Sequence, residues 1–142
     1  MYKISEPSKT LTFIGLIWEG LAMMFFAFGA VILRQMSLIP KEDLIAEGML
    51  ELEADMFLNV TSVLNIVFVI VGMILFVVFL VNVVLFTKLI KGSLTPAQAK
   101  NLFVYQAIWG GVSLIFNTIT GILYLMSAIS AQSKEKALNN KN

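Results

Sequence analysis

The feature that most constrains this chain is the run "FLNVTSVLNIVFVIVGMILFVVFLVNVVLFTKLI", Phe57 to Ile90, about 34 residues without a turn signal and with Lys88 as its one charge. As a helix rising about 1.5 Å per residue it is longer than the roughly 30 Å hydrocarbon core of a bilayer, yet too short for two spans and a connection. It reads as one long helix, spanning over about 60–90 and projecting beyond the membrane at its outer end. A first apolar run, Leu11 to Leu33, closes at Arg34 and is also long enough to cross. A third extends from Leu102 to Ala131, ahead of the polar tail 132–142.

Composition agrees with these runs. Of 142 residues 58% are hydrophobic and 13% charged, with a mean hydropathy of +0.88, where soluble domains carry about 25% charged residues. The expected fold is all-α, an integral membrane bundle of three transmembrane helices (about 11–33, 60–90 and 102–131) forming a single membrane domain over 1–142. Lys3 and Lys9 ahead of the first run, with "AFGA" behind it, would also suit a secretory signal. The apolar stretch is long for a signal, and an uncleaved span is expected.

Missing residue types exclude much chemistry. The chain has neither histidine nor cysteine, which removes disulfides, thiolate nucleophiles, His or Cys haem ligation and most transition-metal sites. The net charge of +1, with no basic block, gives no reason to expect nucleic acid. No catalytic residue, cofactor or metal site is expected, and the protein reads as non-enzymatic.

Between the first two runs, "PKEDLIAEGMLELEADMF" over 40–57 carries six acids and one lysine, with Ile45, Met49, Leu52 and Met56 at helical spacing. It reads as an amphipathic acidic helix on the extracytoplasmic side, either a solvated connector or a docking face for a partner. "KGSLTPAQAK" then makes a turn in which Thr95 can cap the next helix and Pro96 can take its first position. Lysines 88, 91 and 100 around this turn place it, and the N-terminus, in the cytoplasm by the positive-inside rule. With three spans, however, Lys134, Lys136 and Lys141 fall outside, and the tally of the two sides comes out even.

Polar and small residues inside the runs form stripes. The series are Gly15, Glu19, Ala22, Phe26, Gly29; Asn65, Phe68, Gly72, Leu75, Phe79, Asn82; and Gln106, Gly110, Ser113, Asn117, Gly121, Tyr124, Ala128. Each advances by about 3.5 residues, the period of left-handed helix packing, and small residues permit close approach in lipid. Gly15, Gly72, Gly110, Asn117 and Gly121 are therefore expected at helix contacts. Glu19, Asn82 and Gln106 fall at similar depths, roughly 6–12 Å from the cytoplasmic boundary at 1.5 Å per residue, with Lys88 able to reach toward them. This intramembrane polar cluster is either a protonatable gate or ligand site, or polar glue between helices. A further alternative slides the first span outward and leaves Trp18 in the aromatic belt. Trp109 and Tyr105 read as belt anchors or packing residues.

The pieces "SKTLTFIGLIWEG" and "LTPAQAKNLFVYQAIWGGVSLIFNTITGILYLMSAISA" resemble the small bacterial membrane proteins grouped as domain of unknown function 4064. The resemblance implies a bacterial plasma membrane and supplies no activity and no functional residues. The expected role is an accessory or interaction subunit of a membrane complex or of the cell envelope. Its expected partners are the lipid bilayer and another membrane protein or a second copy of the chain. The alternatives are an oligomeric channel or transporter-like protein using Glu19, and a membrane immunity or resistance protein.

Overall fold

The structure, a computed structural model, describes residues 1–139, all of whose regular structure is helical: α1 (Glu6–Ser37), α2 (Lys41–Ala46), α3 (Glu51–Ile90), α4 (Pro96–Phe116) and α5 (Thr118–Asn139). Two of these, α1 and α3, are long and apolar enough to cross a membrane. Their apolar side chains point outward: Phe25 is 78% exposed and Phe28 63%, as are Val63 and Val77 at 60% each. A helix apolar all round and not covered by protein is suited to lipid. The chain divides into two compact units, Met1–Ala22 with the residues from Val78 onward, and Met23–Val77.

In the first unit the third apolar run is not one helix, and this corrects the expected span over 102–131. At Asn117 the backbone leaves helical geometry, with φ −147° and ψ 74°. Beyond it the chain turns back. A Cβ on Gly121 would lie 2.6 Å from the carbonyl oxygen of Gly110, whereas eleven residues along one helix would separate them by about 16 Å. Asn117 serves both helices, donating its N–H to Ser113 O (2.7 Å) and accepting at its own carbonyl from Gly121 N–H (3.0 Å). Its side-chain oxygen caps α5 by accepting from Thr120 N–H at 3.4 Å. The two glycines permit the close antiparallel packing that a one-residue link demands.

The other end of the hairpin starts as the sequence suggests. Thr95 and Gln98 form a capping box around the α4 N-terminus, and Pro96 opens the helix. Gly92, at φ +68°, makes the preceding turn, and Tyr2 N–H donates to Leu94 O at 2.8 Å. Ile4, Leu89, Ala99, Leu102, Phe103 and Ala131 share one core, so the N-terminal segment, the lysine-bearing turn and the distal part of α5 meet at one end of the unit. The tail from Gln132 continues α5 to Asn139. Lys141 lies outside the described residues.

The second unit corrects the acidic helix. Instead of one helix over 40–57 there are α2, a turn, and the start of α3. Gly48 takes φ +101°, a conformation open to glycine that ends α2. Leu50 N–H then donates to the Glu53 carboxylate (3.0 Å) to begin α3, and Lys41 bridges Glu51 and Asp55 at 3.0 and 2.9 Å. Hydrogen bonds to Asp55 and Glu51 raise the Lys41 pKa above its ordinary value. Deeper in this unit the expected stripes pack together. Asn65 donates its side-chain N–H to Ala30 O (2.6 Å), the Phe26 and Phe68 rings lie 5.5 Å apart, and Gly29 and Gly72 lie beside those two rings.

Candidate functional site

Glu19 is 3% exposed, and its carboxylate is held by one residue from each of the other long helices. Asn82 on α3 donates to Oε1 at 2.8 Å. Trp109 on α4 donates its indole N–H to the same oxygen at 2.9 Å, and Tyr124 on α5 donates its hydroxyl to Oε2 at 2.6 Å. Tyr105 donates to Asn82 Oδ1 at 2.6 Å, fixing which way that amide points. Every bond runs toward the carboxylate, which accepts from three neutral donors.

Tyr124 is positioned by packing as well as by its hydroxyl. It is wholly buried, meets Phe86 edge-on at 5.0 Å and 66°, and covers Gly15, where a Cβ would come within 2.5 Å of its ring. Gly15 thus matters for the space it leaves, and a side chain there would push Tyr124 off Glu19.

A second polar layer lies nearer the N-terminus of α1. Gln106 donates to Thr12 Oγ1 (2.9 Å), Thr12 and Ser127 hydroxyls meet at 2.8 Å, and Ser127 donates to Ser8 O at 3.0 Å. Since Ser127 has one hydroxyl proton, Thr12 must donate to it, so the chain runs Gln106, Thr12, Ser127, Ser8. The Ser8 hydroxyl closes the pair on Ser127 O at 2.8 Å. Among the described residues, four buried side-chain polar atoms keep no partner: Gln106 Oε1, Ser113 Oγ, Asn117 Nδ2 and Thr120 Oγ1.

The expected cluster is thus partly assembled. Glu19 and Asn82 bond directly. Gln106 lies in the adjoining layer and contacts Thr12 instead, while Lys88 is exposed and bonds to neither. Trp109 and Tyr105, read from the sequence as belt anchors or packing residues, are half-buried and add hydrogen bonds to Glu19 and Asn82 that the sequence did not signal, and Tyr124 was legible only as a packing residue. The stripe residues Gly110, Asn117 and Gly121 all belong to the hairpin. Ile45, Leu52 and Met56 are 42%, 71% and 60% exposed, but with Met49 half-buried and Gly48 breaking the helix they do not form one continuous face.

No group of three or more metal-binding side chains occurs among the described residues. No family model, curated protein or solved structure matches the chain.

Proposed function

We propose that this is a multi-pass membrane protein, non-enzymatic, acting as an accessory or interaction subunit of a membrane complex or of the bacterial cell envelope. The observation that supports this reading best is the saturation of Glu19 by donors from α3, α4 and α5. A carboxylate so engaged locks four helices in register, the role of polar glue in lipid, and is poorly placed to receive a passing ion. The exposed apolar surfaces of α1 and α3 then serve lateral contact with lipid and with partner proteins.

The hairpin also revises the topology. With α1 and α3 crossing and α4 and α5 returning to the side they left, both termini lie in the cytoplasm. Lys3, Lys9, Lys88, Lys91, Lys100 and Lys134 then share that side, and the six acids of 40–57 lie opposite, which removes the conflict that a single third span created. Single cysteines at Ser93 and Ser133 are both expected to resist an impermeant thiol reagent on intact cells, while one at Glu47 labels. Labelling at Ser133 with protection at Ser93 would restore the single span.

The unpartnered Gln106, Ser113 and Thr120 oxygens favour a second reading, an oligomeric channel in which they face water. The two readings separate in one preparation. Purification from native membrane in mild detergent is expected to yield a stoichiometric partner, and reconstituted vesicles no proton or cation flux. Flux abolished by Glu19→Gln would defeat the accessory reading.

A further inference from the structure

Lys88 ends the apolar stretch of α3 and is exposed, yet among the described residues its ammonium has no carboxylate within ion-pair distance and no hydrogen-bond acceptor. Beside it lies an open groove of about 400 Å³. Its floor is apolar, made by Leu85, Leu94 and Leu102, and its rim carries Lys88, Gln98 and Asn101. The Gln98 carbonyl oxygen is already occupied by Thr95 N–H in the capping box. Gln98 is left with its amide protons to offer, next to the Asn101 amide and the Lys88 charge. The fourth polar group, the Tyr105 hydroxyl, is spent on Asn82. Three donors, one of them cationic, above an apolar floor, call for an anionic group attached to a hydrocarbon.

The surroundings say which anion. The groove borders the turn that carries Lys91 and precedes Lys100, at the end of the unit where Lys3 and Lys9 also lie. In the topology proposed above this is the cytoplasmic headgroup level, where each basic residue adds to the attraction of an anionic leaflet. We propose that the groove holds the headgroup phosphate of an anionic phospholipid, with Lys88, Gln98 and Asn101 donating to its oxygens and an acyl chain lying over Leu85, Leu94 and Leu102. A free phosphate would satisfy the rim and leave the floor uncovered.

The inference rests on the membrane reading, and its test keeps the two apart. Recovery of the protein in the supernatant after carbonate extraction of membranes, without detergent, would defeat the membrane reading itself. For protein extracted in detergent, native mass spectrometry with added phosphatidylglycerol or phosphatidylcholine is expected to show about tenfold tighter retention of the anionic lipid. Lys88→Gln combined with Asn101→Leu should erase that preference. Both side chains are exposed, so the bundle itself stays folded. Lys134→Gln, which removes a charge from the same end but not from the groove, should change it less than about twofold. Inorganic phosphate at millimolar concentration should not displace the lipid. Equal retention of the two lipids, survival of the preference in the double variant, an equal loss in Lys134→Gln, or displacement by phosphate alone would each overturn the lipid site.

Discussion

Glu19→Leu is expected to unlatch the hairpin. The substitution strands the Asn82 amide, the Trp109 indole N–H and the Tyr124 hydroxyl, all of which end on this carboxylate. A buried donor left unpaired costs about 1–3 kcal/mol, so three together cost on the order of 3 kcal/mol or more, a large share of a marginal stability. Glu19→Gln behaves differently. It retains Oε1 for Asn82 and Trp109, and Tyr124 can turn its hydroxyl to accept from the new amide, at about 1 kcal/mol or less for a bond in the membrane. Denaturation of detergent-solubilised protein by sodium dodecyl sulfate measures both. Equal destabilisation by Gln and Leu would show that charge, not hydrogen-bond geometry, holds the bundle.

Gly121→Ala should be nearly as damaging. The added methyl meets Gly110 O at 2.6 Å and Leu114 N at 2.7 Å, and both are backbone atoms that cannot swing aside. The cost lies near the top of the overpacking range, about 3 kcal/mol. Gly111→Ala is the control, because nothing lies within 4 Å of its would-be Cβ. Relief of the helical glycine penalty there should leave stability unchanged or raise it by about 0.5–1 kcal/mol. If the two substitutions have equal effects in the same denaturation assay, α4 and α5 do not pack through these glycines.

How much of this could be read in advance varied by element. The long helices were legible because apolar runs set their length, and the Thr95 cap because its chemistry is local. The hairpin was not, since the apolar run continues across Asn117 and no Gly or Pro marks the reversal. The stripe through Asn117 keeps a period that matches continuous helix packing across the reversal. Over 40–57 the spacing of Ile45, Met49, Leu52 and Met56 suits one helix, while the break comes from the backbone of Gly48 at φ +101°. Glu19 announced itself by its cost in lipid, and depth alone suggested Asn82. Trp109 and Tyr105 were hidden because an amphipathic ring suits a membrane interface as well as an interior bond.

The hairpin bears on how the protein is made. Among the described helices only α1 and α3 are apolar enough to enter a bilayer by themselves, whereas α5 carries Thr120 and Ser127 wholly buried and has Tyr124 and Ser127 bonded to α1. Tyr124 and Ser127 have these partners only once the first helix is in place. In the membrane topology proposed above, this sets an order for biosynthesis: α1 and α3 would integrate on their own apolarity, and the hairpin would follow as a pair against the Glu19 carboxylate. A chain stopped at Phe116 would hold Glu19 without Tyr124, leaving Oε2 without its donor.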